Sequence, residues 1–96
     1  MNEEQIFRMS GLFKAISHPV RLKILCLLQN RELSVGALLA EMACSGANVS
    51  QHLNVLRHQG VLGFRKEANV VYNRIVDPRV VEMMAALEKI FCSDND

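Results

Sequence analysis

From Glu3 to about Ile16, apolar residues recur at helical spacing, at Ile6, Met9, Leu12, Phe13 and Ile16. That period predicts an amphipathic helix. Ser17-His18-Pro19 ends it and starts another, since proline is tolerated at the first position of a helix. The second helix is expected to run to about Gln29, with Val20, Ile24, Leu25, Leu27 and Leu28 as its apolar side. Asn30-Arg31-Glu32 reads as a loop. Ser34 is placed to cap a short third helix, Val35 to about Met42. Ala37 stands where a glutamate would complete a capping box, so only half of that device is present. After a tight connection at Ala43–Ser45, Ser45 caps a fourth helix, Gly46–Gln59, with Val49, Leu53 and Leu56 facing inward. Gly60 suits the left-handed position that commonly ends a helix.

The period then changes from helical to alternating. Val61–Lys66 and Val70–Val76 are two short β-prone runs separated by Glu67-Ala68-Asn69, which makes a hairpin. Asp77-Pro78 caps and starts a last helix, Arg79–Phe91, with Val80, Met83, Met84, Leu87 and Ile90 on one stripe. The expected fold is mainly α with a small β-hairpin, in the order α-α-α-α-β-β-α. Two helices joined by a three-residue turn and followed by a hairpin form a winged helix-turn-helix.

Composition adds an expectation about assembly. Half of the 96 residues are hydrophobic, high for a chain that makes one domain, 1–96, near the lower limit for a self-sufficient core. Such a surplus is often hidden in a subunit interface, which predicts an oligomer. No apolar run approaches the roughly 18–20 residues that span a bilayer. The start, MNEEQIFR, lacks the basic-then-apolar order of a secretion signal. A cytoplasmic protein without a membrane partner is the simplest expectation.

Net charge is only +1 and does not by itself indicate a nucleic-acid partner. Its distribution is more informative. Between Gly46 and Val76, Arg57, Arg65, Lys66 and Arg74 stand against Glu67 alone, with His52 and His58 in addition. A basic middle suits a phosphate backbone, although a solvated charged face reads the same way. On the fourth helix, the face opposite Val49, Leu53 and Leu56 carries Ala47, Ser50, Gln51, Asn54 and His58, with Asn48 in the first turn. Ser, Gln and Asn donate to and accept from base edges in the major groove. That makes the fourth helix the candidate reader of double-stranded DNA. Arg57, Arg65, Lys66 and Arg74 become candidate phosphate or minor-groove contacts. The bland alternative is a polar solvent face on a core helix.

Three cysteines, Cys26, Cys44 and Cys92, form no CxxC pair and no zinc-finger cluster. Cys26 sits in the core-like run RLKILCLL and reads as a small buried hydrophobe. Cys92 lies beside the polar tail SDND and reads as accessible. Cys44, just ahead of the Ser45 cap, reads as packing. His18 is expected to cap or flank the second helix, and His52 to be a core or hydrogen-bonding residue. Tyr72 is expected to pack under the wing, and Met83 and Met84 to belong to a dimer core. No Gly-rich phosphate loop, carboxylate pair or nucleophile–base motif is present. Neither an enzyme nor a resident cofactor is expected.

The segments SHPVRLKILCLL, ELSVGALLAEM, NVSQHLNVLRHQGVL and RKEANVVYNRI resemble the ArsR/SmtB family of bacterial winged-helix repressors, from about Leu12 to Cys92. The resemblance implies a homodimer joined through the first and last helices, and repression of an inverted-repeat operator relieved by an inducer. The family's arsenic-type site places cysteines in the third helix, where this chain has Ser34 and Gly36. Its zinc-type site uses an Asp-x-His and a His-x-x-His/Glu in the last helix. Here Asp77 is followed by Arg79, and Ile90 and Ser93 stand at the later positions. Both metal sites are expected to be absent.

The cysteines that remain, Cys26 in the second helix and Cys92 at the end of the last, resemble the sulfide- and redox-responsive BigR/SqrR/HlyU/YgaV branch. That resemblance implies a redox switch in which Cys26 and Cys92 react with a reactive sulfur species or an oxidant and DNA is released. A metal or metalloid sensor using Cys26, Cys44 or Cys92 in an unusual site is the runner-up. A thiol redox enzyme and a winged helix used only for protein contacts are the readings from other classes.

Overall fold

A computed structural model describes residues 1–92; Ser93, at the last zinc-type position, lies outside them. In chain order the elements are α1 (Glu3–Ile16), α2 (Pro19–Leu27), β1 (Leu33–Ser34), α3 (Val35–Ala40), α4 (Gly46–His58), β2 (Leu62–Glu67), β3 (Val70–Ile75) and α5 (Pro78–Phe91). This is a winged helix-turn-helix.

Each helix start has a chemical cause. The Asn2 side chain accepts from Gln5 N at 2.8 Å while the Gln5 side chain accepts from Asn2 N at 2.9 Å, a complete capping box. His18 Nδ1 accepts from Val20 N at 3.1 Å ahead of Pro19. Ser34 and Ser45 accept from Ala37 N and Asn48 N, each at 3.1 Å. Asp77 accepts from Arg79 N at 2.9 Å ahead of Pro78. The end of α4 is as well defined. Gly60 has φ +75°, Gly60 N donates to Arg57 O and Val61 N to Leu56 O. These are the two bonds of a Schellman motif, and they require the left-handed backbone that glycine tolerates.

The elements close over one core, formed by Ile16, Ile24, Leu25, Leu28, Leu38, Val49, Leu53, Leu56, Val61, Leu62, Val80 and Met84. The α4 stripe of Val49, Leu53 and Leu56 is wholly buried, as its period predicts. The terminal helices are different. On α1 only Ala15 and Ile16 are buried, while Ile6, Met9 and Phe13 are 43%, 36% and 46% exposed. At the far end of α5, Ile90 and Phe91 stand in solvent.

Several boundaries differ from the sequence expectation. Helix α2 stops at Leu27 rather than Gln29, and Asn30 beyond it takes a positive φ of 59°. Helix α3 stops at Ala40 rather than Met42, because Glu41 N and Met42 N bond back three residues, to Leu38 O and Leu39 O. Gln59 is the C-cap of α4 and not part of it, and α5 includes Pro78.

The hairpin loop is shorter than expected. Glu67 belongs to β2 and pairs with Val70, leaving the two-residue turn Ala68-Asn69, with φ 50° and 66°. Two positive φ values are the mark of the type I′ turn that matches strand twist. The largest departure is β1. Leu33 and Ser34 pair antiparallel with Asn73 and Tyr72, which makes a three-stranded sheet in the order β1-β3-β2. Two residues are too few to display an alternating period, so this strand is invisible without its partner.

Candidate nucleic-acid interface and thiol cleft

Helix α4 follows the α3 turn and leads directly into the hairpin, so its polar face and the wing belong to one contiguous segment of the fold. Ala47, Asn48, Ser50, Gln51, Asn54 and His58 are all exposed. They form the face opposite the buried stripe. The first turn of α4 also carries backbone N–H groups with no helical acceptor, a feature suited to phosphate oxygens.

The four cations are not equivalent. Arg57 turns inward: its Nη2 donates to Asn73 Oδ1, and its Nη1 donates to Asn54 Oδ1 at 3.3 Å. Its guanidinium also lies over the Phe64 ring, 5.1 Å from the centroid. Arg65 is held by Glu32, to which its Nε donates at 2.8 and 3.0 Å, and by Glu67. These bonds raise the Arg65 pKa further and hold the Glu32 carboxyl below the usual carboxylate range. The same guanidinium lies over the ring of Tyr72, the half-buried tyrosine of β3, 4.7 Å from its centroid. Lys66 and Arg74 are exposed and have no ion pair among the described residues.

Sequence reading missed Asn73 and Glu32. Asn73 is fully buried; it accepts from Arg57 and donates from Nδ2 to Leu33 O at 3.3 Å. It thereby joins α4, β3 and β1. The available signal was its phase: Asn73 lies between Val71 and Ile75 on the inward side of β3. Glu32, in the loop before β1, had no local signal, because its partner is 33 residues away.

The His18 and His52 rings meet at a 38° tilt with centroids 4.3 Å apart. His18 caps α2 and His52 lies on α4. The His52 Nδ1 is buried without a hydrogen-bond partner, as is Arg21 Nε. Burial, His18 and Arg21 together lower the His52 pKa.

The second cleft lies between α2 and α5. It measures about 570 Å³, and Cys26 and Cys92 both line it, together with Leu22, Gln29, Met84, Leu87, Glu88 and Phe91. Cys26 is exposed, which removes the reading of it as a buried hydrophobe; Cys92 is exposed as expected. Cys92 is the C-cap of α5, its N–H donating to Glu88 O at 2.7 Å. Burial raises the Cys26 pKa, with Glu88 and Cys92 adding to the effect and Lys23 opposing it. Cys44 is partly buried against the core, away from both thiols. Among the described residues, no three His, Cys, Asp or Glu side chains form a metal-holding group, and no helix is long and apolar enough to cross a membrane.

Comparison with known proteins gives this geometry a family. Residues 18–62 match the model of the bacterial regulatory protein arsR family. The chain is 33% identical over 94 residues to the biofilm growth-associated repressor of Agrobacterium fabrum, covering 98% of this chain and 80% of that protein. It is 39% identical over 84 residues to the transcriptional activator HlyU of Vibrio cholerae, covering 88% and 78%. Its fold superposes on reduced HlyU from Vibrio cholerae with a TM-score of 0.90 at 36% identity, covering 95% and 96% of the two chains. The chain belongs to the arsR family of bacterial regulatory proteins and is a DNA-binding transcriptional regulator, not an enzyme.

Proposed function

We propose that the protein is a cytoplasmic homodimeric repressor that releases an inverted-repeat operator when Cys26 and Cys92 react with reactive sulfur species or oxidants. The observation that carries this reading is the placement of both thiols, exposed, in one cleft between α2 and α5. A persulfide R–S–SH supplies the oxidising sulfur. One cysteine thiolate attacks its outer sulfur, forming Cys–S–SH and expelling RS⁻. The other thiolate then attacks the protein-bound sulfur of that persulfide, forming the disulfide and expelling HS⁻. The raised Cys26 pKa keeps that thiol largely protonated at neutral pH, which restrains its reaction with weak electrophiles.

Dimerisation is supported by the uncovered apolar residues of α1, Ile6, Met9 and Phe13, beside a groove shared with Met83 of α5. In such a dimer α5 stands near the partner while α2 packs on the reader helix. A covalent link between α2 and α5 shifts one reader relative to the other, and paired half-sites tolerate little change in spacing. Ala47, Asn48, Ser50, Gln51, Asn54 and His58 are assigned to base edges and neighbouring phosphates. Lys66 and Arg74 are assigned to the backbone. Arg57 and Arg65 contribute through their remaining donors, after Asn73 and Glu32 have taken their share.

The test is operator binding by fluorescence anisotropy with reduced and persulfide-treated protein. Reduced protein binds with a steep salt dependence, and treatment abolishes binding. Cys26→Ser and Cys92→Ser bind the operator but keep it after treatment. A single-serine variant that is still released normally overturns the switch.

A further inference from the structure

The cleft that holds the two thiols has a definite chemical preference. Its walls are mostly the side chains of Leu22, Met84, Leu87 and Phe91, with Gln29 at one side, and among the described residues its one acidic group is Glu88. Glu88 lines the cleft together with both thiols, and Lys23 is not among its lining residues, so an entering donor meets a carboxylate beside them. A donor that enters as an anion brings like charge next to Glu88 and loses its hydration to an apolar wall. Both effects oppose it. An uncharged apolar donor gains from the same walls and meets neither cost.

We infer that the α2–α5 cleft selects uncharged, apolar sulfane-sulfur donors, the dialkyl trisulfides, over anionic donors, with Glu88 as the discriminating residue. The inference rests on the thiol-switch reading above and names the class of inducer. The reaction balances without another oxidant. One cysteine thiolate attacks an outer sulfur of R–S–S–S–R, forming Cys–S–S–R and breaking the adjacent S–S bond. R–S–S⁻ leaves and takes up a proton. The second thiolate attacks the cysteine sulfur of that mixed disulfide, and RS⁻ leaves and takes up the second proton. Two thiols become one disulfide, and the trisulfide is reduced to one thiol and one hydropersulfide.

The test compares dipropyl trisulfide with glutathione trisulfide, which present the same reactive group on neutral apolar and on carboxylate-bearing arms. Bis(2-hydroxyethyl) trisulfide, neutral but polar, separates charge from apolarity. Rates of thiol loss are followed by mass spectrometry on the whole protein, each normalised to the donor's rate with N-acetylcysteine. The normalised rate with dipropyl trisulfide is expected to exceed that with glutathione trisulfide at least tenfold, with the hydroxyethyl compound between them. Glu88→Gln, compared at equal thiolate fraction from a pH–rate profile, is expected to raise the glutathione trisulfide rate several-fold. It leaves the dipropyl rate within twofold.

Equal normalised rates in the wild type, or a Glu88→Gln effect that is the same for all three donors, overturn the inference. Operator release measured in parallel separates the two readings. Crosslinked protein that stays on DNA defeats the switch, whereas equally fast release by every donor defeats only the selectivity.

Discussion

Arg57 on α4 donates to the side chain of Asn73, a fully buried asparagine on β3. The contact joins α4 to the wing. Asn73 also donates to the Leu33 carbonyl on β1, so a single side chain satisfies a cation and a strand at once. Asn73→Ala leaves both without that partner in a partly buried site. A loss of about 1–3 kcal/mol is expected, read from the urea midpoint. Operator affinity measured well below that midpoint is expected to fall as well, because the angle between α4 and the wing is no longer fixed. An unchanged midpoint would show that the network is dispensable.

Glu32 holds the Arg65 guanidinium at the base of the wing. Glu32→Gln is expected to release that charge toward DNA. Operator affinity should rise, and the slope of log affinity against log salt should steepen by up to about one unit. The pair is solvent-exposed, so the thermal midpoint should move little. A flatter slope would count against Arg65 as a phosphate contact.

Burial of His52, with His18 and Arg21 nearby, makes stability depend on pH. The His52 pKa is lowered in the folded protein from its ordinary 6.5. Below that value the unfolded chain binds more protons than the folded one, so stability is lost as the pH falls from about 6.5 toward the folded-state pKa. Thermal midpoints measured between pH 7.5 and 5 should decline over the lower half of that range. His52→Gln should flatten the decline without abolishing folding. An unaltered profile in the variant would place the effect elsewhere.

Ala68 occupies a left-handed backbone position, φ 50°, at the wing tip. A non-glycine residue there costs about 1–2 kcal/mol in backbone sterics. Ala68→Gly is expected to recover part of that, less the entropy it adds to the unfolded chain. A gain of a few tenths to about 1 kcal/mol should appear in the urea midpoint, with the β2–β3 register retained.

Gly63 faces Val76. An added Cβ would lie 2.7 Å from Val76 Cγ1, so the valine, itself 43% exposed, must shift to admit it. Gly63→Ala is expected to cost up to about 1 kcal/mol, below the range for a closed core because Val76 can yield toward solvent. Gly63→Ala combined with Val76→Ala should recover most of it. Additive losses in the double variant would mean that the clash is not the cause.

The parts of this fold that can be read from the sequence are those whose causes are local. The buried stripe of Val49, Leu53 and Leu56, the caps at His18, Ser34, Ser45 and Asp77, and the Schellman glycine at Gly60 all follow from residues a turn apart. So does the exposed reader face. The illegible parts are pairings over long separations. β1 exists only because Leu33 and Ser34 meet β3, and Arg65 is occupied only because Glu32 arrives from the far side of the helix-turn-helix. Equal weight on four cations could not anticipate that two of them are committed within the fold. Cys26 shows the opposite error. Its apolar neighbours in sequence suggest burial, yet Ile24 and Leu25 take the core side of that turn and leave the thiol in the α2–α5 cleft.

The short strand β1 has a consequence for cooperativity. Because Leu33 and Ser34 are zipped to Asn73 and Tyr72, the whole path from α3 through α4 to the wing is a loop whose two ends are fastened together. Neither reader nor turn can detach at one end, as a terminal helix can fray. Amide hydrogens of α4 should therefore exchange through the same opening event as those of β3, while the first turns of α1 and the last of α5 exchange by separate, cheaper openings. On that expectation the segment from α3 to the wing opens as one closed unit, and only the ends of the terminal helices open apart from it.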